Sequence, residues 1–308
     1  VISMYDIIVI GAGTAGLTAA IYGKRAGKSV LVYEGESYGG QILTAPEVAN
    51  YPGIKNISGY AFATGLFEQA KNLGTEFNFD QVTGVTGSAR EGFTVTSELG
   101  SNFAKTIIIA CGARHRHMGI DDEERFSGVG VSYCSTCDGA FFKGRDVAVI
   151  GGGNTALEDA IYLSSICSKV YIIHRRDEFR AEQALVNTAM SFENIIPKLS
   201  YVVSGLNGNK TLESIEISST KNDSKEEIKL SGLFVAIGQV PSNGCVSDFV
   251  ELDQAGYVKA SEDCVTNVPG VFVAGDGRTK AVRQLTTAAA DGAISAVAAC
   301  SFIAKSFL

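Results

Sequence analysis

The 308-residue sequence is poor in proline and histidine, with five and three residues respectively, and we find no apolar run of membrane-spanning length. A membrane helix needs about 18 or more consecutive apolar residues, so we expect no membrane segment. The scarcity of proline argues against a proline-rich linker protein, whereas 35 glycines suit tight turns against nucleotides. The N-terminus lacks the basic head and apolar core of a signal peptide, which predicts a cytoplasmic protein.

Positive charge is also scarce, because 26 Lys and Arg residues face 33 Asp and Glu residues, for a net charge of −7. Binding to nucleic acid requires a basic surface, so we expect no nucleic-acid partner. The length is sufficient for two domains of ordinary size. Seven cysteines, an odd number spread along the chain, are typical of a reducing cytosol, where a close cysteine pair is more often metal-binding or catalytic than structural.

The chain contains one pattern twice. Apolar runs at Ile7–Ile10 and Val147–Ile150 predict buried parallel strands. Each is followed by a G-x-G-x-x-G/A turn, a helix-length segment and a second apolar strand, at Ser29–Tyr33 or Lys169–Ile173. In this strand–helix–strand context the glycine turn is the signature of a dinucleotide-binding fold, because it lets the backbone approach a pyrophosphate at a helix N-terminus.

The ends of the second strands distinguish the two nucleotides. Glu34 and His174 each lie 23 positions after the first glycine of their turns. The Glu34 carboxylate can accept hydrogen bonds from a ribose 2′-hydroxyl and would repel a 2′-phosphate, which indicates FAD or NAD. Arg175, Arg176 and Arg180 instead offer guanidinium groups that suit the 2′-phosphate of NADP, although a solvated charge run would show the same residues.

Two further apolar strands, Thr106–Ala113 and Val271–Gly277, would return the chain to the first nucleotide. Asp276 at the end of the second could bind a ribityl or ribose hydroxyl, or cap the following helix. The order of these pieces predicts a discontinuous first domain with a second domain inserted into it: residues 1–114 with 245–308, and residues 115–244.

A C-x-x-C pair, Cys134 and Cys137, directly precedes the acid Asp138. Structural zinc needs four ligands, and the few histidines and isolated remaining cysteines disfavour it, so we assign no metal. A structural disulfide closing so small a loop would restrict the unfolded chain little. Reversible thiol–disulfide exchange is the favoured interpretation. Asp138 could protonate a leaving thiolate, or simply be a turn residue before glycine.

Five motifs resemble those of the low-molecular-weight thioredoxin reductases of bacteria and other microbes, and the resemblance extends from residue 5 to about residue 299: "GGQILTAPEVANYPG", "YCSTCDGAFF", "VIGGGNTALEDAIYL", "HRRDEFRA" and "AGDGRTKAVRQLTTAAADGA". It implies an α/β fold of two Rossmann-like dinucleotide-binding domains, an FAD domain with an inserted NADPH domain, in a homodimer. It also implies that electrons pass from NADPH through FAD and the Cys134–Cys137 disulfide to oxidised thioredoxin.

The resemblance further implies roles for single residues. Cys134 would attack the partner protein, Cys137 would lie nearer the flavin, and Asp138 would transfer protons. Cys111 stands where threonine is more usual, and the basic cluster in "HRHMGIDDEERF" is interpreted as incidental. The FAD contacts would be Gly11, Gly13, Thr14, Ala15, Gly16, Glu34, Gly39, Gly40, Gln41, Asn50, Asp276, Arg283, Gln284 and Leu285. The NADPH contacts would be Gly151, Gly153, Asn154, Thr155, Ala156, His174, Arg175, Arg176 and Arg180.

Other functions remain open at this point. The partner could be a peroxiredoxin-like or other disulfide protein, or the electron donor could be ferredoxin, although the intact "HRRDEFR" argues against ferredoxin. A flavin-bearing sensor without turnover is disfavoured by the intact C-x-x-C-D. A ferredoxin–NADP oxidoreductase of the same fold would not need the two cysteines.

Overall fold

The two repeated patterns fold into separate parallel sheets. The computed structural model describes residues 4–306, and in it the chain forms two compact units: residues up to 114 with those from 240 onward (unit 1), and residues 115–239 (unit 2). The predicted domain boundary at residue 244 lies slightly beyond the end of unit 2. The α/β fold with two dinucleotide-binding sheets is confirmed.

The strands and helices are numbered in chain order. The strands are β1 (Met4–Ile10), β2 (Val30–Tyr33), β3 (Glu76–Asn78), β4 (Val82–Ser88), β5 (Gly92–Ser97), β6 (Ser101–Ile109), β7 (Ala113–His115), β8 (Val131–Ser132), β9 (Asp146–Ile150), β10 (Lys169–His174), β11 (Ile195–Leu199), β12 (Tyr201–Asn207), β13 (Ser214–Ser219), β14 (Lys225–Lys229), β15 (Gly232–Val235), β16 (Gln239–Pro241) and β17 (Val271–Val273). The helices are α1 (Thr14–Arg25), α2 (Gly59–Asn72), α3 (Glu123–Phe126), α4 (Ser135–Asp138), α5 (Asn154–Ser164), α6 (Gln183–Met190) and α7 (Leu285–Ser306).

The sheet of unit 1 has the order β3-β2-β1-β6-β5-β4, with β17 also paired to β6. Strands β3, β2, β1, β6 and β17 are parallel, whereas β5 and β4 are antiparallel additions. Residues 7–10 are buried because the sheet is covered on both faces, with α1 and α7 on one of them. The predicted strand at 106–113 begins earlier and ends at Ile109, and Gly112 beyond it has φ +68°.

The sheet of unit 2 is fully parallel, in the order β11-β10-β9-β15-β8. Helices α5 and α6 cover one face. A separate antiparallel sheet, β12-β13-β14, packs its apolar side chains against the other face. Strands β7 and β16 pair where the chain passes between the units.

Helix α7 is long and apolar enough to cross a membrane by length and composition alone. It has 22 residues and a mean hydropathy of 1.5, and 39% of its most apolar window is buried. It packs directly on α1: a Cβ at Gly292 would lie 2.3 Å from the Ala15 carbonyl oxygen. Ala296, Ala299 and Ile303 join the core of unit 1. The helix is therefore accounted for as a core element of this unit.

Helix α7 also carries a buried charge cluster that the sequence analysis did not foresee. The Asp291 carboxylate accepts two hydrogen bonds from Arg278, each 2.9 Å, one from Lys280 Nζ at 2.8 Å and one from the Gly275 N–H at 3.0 Å. Burial alone would raise the pKa of Asp291, but the hydrogen bonds from Arg278 and Lys280 outweigh it and lower the pKa. Asp291 thereby fixes the loop that contains Asp276.

Asp291→Asn should lower the free energy of unfolding by about 3–5 kcal/mol, because Arg278 and Lys280 would stay buried without a full counter-charge. The lowered pKa of Asp291 means that its stabilisation is complete above the unfolded-state pKa and is lost as the pH falls through the folded-state pKa. The difference between the two proteins should therefore shrink below about pH 4. Urea unfolding followed by circular dichroism at neutral and acidic pH measures both effects.

The control for this prediction is Asp177→Asn. Asp177 pairs with Lys221 at 3.2 Å, but both side chains are more than 60% exposed, so we expect no measurable change. An Asp291→Asn effect no larger than that of the control would contradict the role given to the buried cluster.

Candidate active site

The first glycine-rich turn, between β1 and α1, has a backbone that requires glycine. Gly11 has φ +107°, and a Cβ there would lie 2.4 Å from the Ala110 carbonyl oxygen. A Cβ at Gly16 would lie 1.8 Å from the Gly11 oxygen, whereas the space around Gly13 is open. Helix α1 begins at Thr14, so its unpaired N–H groups lie beside the open position. This arrangement is suited to binding phosphate.

Glu34 is held against this turn by the backbone. Its Oε2 accepts a hydrogen bond from the Ala12 N–H at 2.8 Å, and its Oε1 accepts one from the Glu36 N–H at 3.0 Å. The side chain is half-buried at the end of β2. Each carboxylate oxygen can accept a second hydrogen bond, so Glu34 is positioned and able to receive a ribose hydroxyl.

A glycine pair brings the chain back to the same turn. The Gly39 N–H donates to the Ala12 carbonyl at 2.7 Å, and Gly39 and Gly40 have φ values of +100° and +66°. The Gln41 side-chain amide donates to the Ala113 carbonyl. The structure thus places the three predicted residues of this segment beside the first turn and the start of β7.

Five other predicted residues come from distant parts of the sequence. Asn50 Nδ2 donates to Gln284 Oε1 at 3.2 Å, and Gln284 directly precedes Leu285, the first residue of α7. Arg283 Nε donates to the Asp276 carbonyl at 3.3 Å. These contacts connect the predicted FAD residues near the N-terminus with those before α7.

Asp276 has a buried carboxylate oxygen that needs a partner. The residue lies in the short 3₁₀ turn Gly275–Gly277, and within residues 4–306 its Oδ1 has no hydrogen-bond partner. Desolvation raises the pKa of Asp276, while Lys280 and Arg283 act in the opposite direction. Because α7 begins only at Leu285, the helix-cap interpretation of Asp276 is wrong. A ligand hydroxyl would satisfy this oxygen.

The second glycine-rich turn, between β9 and α5, repeats the geometry of the first. Gly151 has φ +150°, and a Cβ there would lie 2.6 Å from the Ala156 Cβ. The space around Gly153 is open, and α5 begins at Asn154 with Thr155 exposed on its first turn. Unit 2 therefore has its own open helix N-terminus behind a glycine turn.

The His174 ring packs against this turn at Gly152. A Cβ on Gly152 would lie 2.3 Å from the imidazole ring, which is buried and stacks on Phe179 at 6.0 Å. Burial lowers the pKa of His174, and the charges of nearby arginines lower it further, against one opposing hydrogen bond from the Glu178 backbone. Its Nε2 has no partner among the described residues. The ring is thus neutral and tightly packed against the glycine turn.

The three predicted arginines are exposed at the end of β10 and after it. The Arg180 N–H donates to the Gly152 carbonyl at 2.6 Å, which brings this segment back to the turn. In the described part of the chain, none of Arg175, Arg176 and Arg180 forms an ion pair. Their guanidinium groups are therefore available to a phosphate.

Cys134 and Cys137 form a disulfide in unit 2, with Cα atoms 5.2 Å apart. Both side chains are half-buried, and the Cys137 N–H donates to Cys134 Sγ at 3.2 Å. This donor would stabilise a thiolate on Cys134 once the pair is reduced. Between the cysteines, Ser135 is buried and donates to Asp159 on α5, which ties the redox pair to the helix of the second glycine turn.

Asp138 is half-buried directly after the pair. Ser132 Oγ donates to Asp138 Oδ2 at 2.6 Å and accepts from the Cys134 N–H at 3.1 Å. Burial raises the pKa of Asp138, and the hydrogen bond from Ser132 opposes part of this effect. A raised pKa favours the protonated acid, as proton donation requires. The sequence analysis did not identify Ser132, because a serine two residues before a cysteine carries no distinctive signal.

The basic cluster interpreted as incidental instead packs beside the redox pair. The rings of His115 and His117 lie 5.3 and 5.2 Å from the ring of Tyr133. Tyr133 donates to the buried Glu123 at 2.7 Å, and its hydroxyl lies 2.9 Å from His117 Nδ1. Because Tyr133 directly precedes Cys134, this cluster anchors the chain as it enters the pair. Burial lowers the pKa of His115 to about 4, so its ring is neutral.

Comparison with known proteins gives consistent matches over nearly the whole chain. The profile of the pyridine nucleotide-disulphide oxidoreductase family matches residues 5–292. A thioredoxin reductase from Treponema pallidum is 39% identical over 300 residues, or 97% of each chain. A bifunctional thioredoxin reductase/thioredoxin from Mycobacterium leprae is 38% identical over 98% of this chain and 67% of its own length. The crystal structure of a thioredoxin reductase from Streptococcus pyogenes has a TM-score of 0.95 at 36% identity, covering 99% of this chain and 100% of the other.

Proposed function

Because the chain belongs to the thioredoxin reductases of the pyridine nucleotide-disulphide oxidoreductase family, we propose that it reduces a thioredoxin disulfide with electrons from NADPH. One observation carries the proposal: a C-x-x-C disulfide lies beside a half-buried acid of raised pKa. The same unit contains a second glycine turn followed by three exposed arginines that form no ion pair within residues 4–306, which supports a phosphorylated nucleotide as the electron source.

FAD fits unit 1, because the open turn at Gly13, the positioned Glu34 and the unpartnered Asp276 oxygen match a pyrophosphate, a ribose and a further hydroxyl. When bound, the flavin supplies the two-electron chemistry between a nicotinamide and a disulfide that amino acids lack. We assign its contacts to Gly11, Gly13, Thr14, Ala15, Gly16, Glu34, Gly39, Gly40, Gln41, Asn50, Asp276, Arg283, Gln284 and Leu285.

NADPH, rather than NADH, is the proposed nucleotide of unit 2. Three exposed guanidinium groups without ion-pair partners among the described residues favour a ligand with an additional phosphate. The His174 ring packs against the glycine turn. Its Nε2, which has no hydrogen-bond partner among the described residues, is available to the nucleotide. The contacts assigned to NADPH are Gly151, Gly153, Asn154, Thr155, Ala156, His174, Arg175, Arg176 and Arg180.

The reduced cysteines then perform the exchange with the protein substrate. The Cys134 thiolate attacks one sulfur of the substrate disulfide, forming a mixed disulfide and releasing the other sulfur as a thiolate. Asp138 donates the proton that this leaving thiolate needs. Cys137 next attacks Cys134 Sγ, which restores the internal disulfide and releases the second substrate thiol.

Thioredoxin is the proposed partner because close relatives carry its name and one, from Mycobacterium leprae, combines both activities in a single chain. A reducing cytoplasm suits a chain whose other five cysteines are free. We also propose a homodimer, which the family resemblance implies.

The direct test is a coupled disulfide-reduction assay of the FAD-loaded enzyme with NADPH, a bacterial thioredoxin and a chromogenic disulfide. Turnover should require thioredoxin and should be lost in Cys134→Ser, because the attacking sulfur is gone. NADH should be the poorer donor, since it cannot use the arginine cluster.

The matched control is Cys300→Ser, which removes a half-buried free cysteine outside the redox pair and should keep wild-type activity. Turnover that persists in Cys134→Ser would refute the proposed role of the pair. Equal rates with NADPH and NADH would refute only the nucleotide assignment. Activity with a peroxiredoxin-like disulfide protein but not with thioredoxin would replace the partner.

Ser132→Ala should move the alkaline limb of the pH–rate profile to higher pH. The substitution removes a hydrogen bond that stabilises the Asp138 carboxylate, so the pKa of Asp138 rises further and the acid stays protonated to higher pH. Measuring kcat/KM for thioredoxin from pH 5 to pH 9 gives the position of this limb.

Two variants complete this test. Ser132→Thr keeps the hydroxyl and should retain the wild-type profile, whereas Asp138→Asn should remove the limb and lower the rate by roughly 10²-fold. A Ser132→Ala limb at the wild-type pH would exclude Asp138 as the group that titrates.

A further inference from the structure

The segment that carries Arg175 and Arg176 is hydrogen-bonded to residues that flank the antiparallel sheet of unit 2. Residues 175–177 directly follow β10. The Ser200 N–H donates to the Arg176 carbonyl at 2.8 Å, and Thr220 Oγ1 donates to the Arg175 carbonyl at 3.1 Å. Contacts from outside the segment therefore hold the backbone from which both arginine side chains extend.

These two anchoring residues are also bonded to each other. The Thr220 N–H donates to the Ser200 carbonyl at 2.8 Å, and the Thr220 hydroxyl lies 3.2 Å from the same oxygen. Ser200 is buried between β11 and β12 and has φ +62°. A residue other than glycine keeps such a backbone only where its surroundings hold it. The junction that contacts the arginine backbone is therefore ordered.

Thr220 is the first residue of the loop between β13 and β14, which we call the 220–224 hairpin. The Ser219 N–H donates to the Ser224 carbonyl at 2.9 Å and closes the loop. Inside it, Asn222 Oδ1 accepts from the Ser224 N–H at 3.0 Å and from the Ser224 hydroxyl at 2.6 Å. The Lys221 N–H donates to Ser219 Oγ at 3.1 Å. Lys221 thus extends from a backbone that its neighbours fix.

The side chain of Lys221 reaches the arginine segment. Its Nζ donates to Asp177 Oδ2 at 3.2 Å. This hydrogen bond lowers the pKa of Asp177, so the carboxylate is ionised at neutral pH. Asp177 directly follows Arg176, and charges on adjacent residues interact within the Debye length of about 8–10 Å. Without Lys221, the Asp177 carboxylate would repel a phosphate bound by the arginines and compete with it for their guanidinium groups.

We propose that Lys221 is a specificity-determining residue for NADP, because it neutralises Asp177 beside the group that binds the 2′-phosphate. The proposal rests on the function proposed above, since it takes the arginines as the site of that phosphate. NAD carries a ribose hydroxyl where NADP carries the phosphate, so the charge of the 220–224 hairpin acts on one nucleotide and spares the other. The antiparallel sheet thereby contributes to the choice of electron donor.

Lys221 and Asp177 are both more than 60% exposed, and exposed ion pairs contribute little to the stability of a fold. Phosphate binding responds differently, because the ligand carries about two negative charges and senses the sum of the charges around it. The pair is neutral overall. Removing the lysine leaves one negative charge, and neutralising the acid leaves one positive charge. The proposal therefore predicts an order of affinities among variants.

The test is isothermal titration calorimetry of the FAD-loaded enzyme with adenosine 2′,5′-bisphosphate, and with AMP measured by displacement. Lys221→Ala should weaken binding of the bisphosphate about three- to fivefold at low ionic strength and leave AMP binding unchanged. Asp177→Asn should strengthen bisphosphate binding by a similar factor. The double variant is neutral again and should recover most of the affinity that Lys221→Ala loses.

The matched control is Lys225→Ala, on β14. Lys225 Nζ pairs with Glu216 at 2.9 Å, and its side chain is 62% exposed against 61% for Lys221, so its removal should leave the affinity for the bisphosphate unchanged. Wild-type affinity in Lys221→Ala, an equal loss for AMP, or a loss that Asp177→Asn does not relieve would overturn the role of Lys221 alone. A wild-type protein that binds both probes equally would refute the NADPH assignment itself, and this proposal with it.

Discussion

A glycine directly after each central strand, Gly11 after β1 and Gly151 after β9, fixes the turn from which the next helix begins. A Cβ at Gly11 would lie 2.4 Å from the Ala110 carbonyl oxygen, and one at Gly151 would lie 2.5 Å from the Ala236 carbonyl oxygen. Both glycines also have positive φ, a conformation that costs other residues about 1–3 kcal/mol. Because each turn is fixed in this way, α1 and α5 begin at defined points beside the ends of β2 and β10, and an open helix N-terminus results in each unit.

The same turn serves different chemistry because its surroundings differ. In unit 1 a carboxylate, Glu34, is bonded to the turn and a buried Asp276 oxygen needs a partner. In unit 2 a neutral His174 lies beneath the turn and exposed arginines follow it. The redox pair belongs to unit 2 as well, where the Ser135–Asp159 hydrogen bond joins it to the helix of the turn. One unit thus carries both the arginine-rich turn and the exchangeable disulfide.

The repeated strand–turn–helix–strand pattern was predictable because it depends on neighbours in sequence: apolar runs, glycine spacing and strand-end residues. The residues that the sequence did not indicate act over long separations. Asp291 on α7 accepts hydrogen bonds from Arg278 in the loop before it, and Tyr133 contacts a histidine 16 positions earlier. No local pattern marks such contacts, since they exist only after the sheets bring the segments together. The single acid of α7, Asp291, is likewise explained only by its tertiary partners.

The central claim is that electrons from the nucleotide reach Cys134 and Cys137 and no other sulfur. The most direct measurement is thiol mapping of the FAD-loaded enzyme after one equivalent of NADPH is added without oxygen and without a protein substrate. Two additional thiols per chain should appear, both located by alkylation at Cys134 and Cys137. Oxidation of NADPH without new thiols at these positions, or with new thiols elsewhere, would contradict the account.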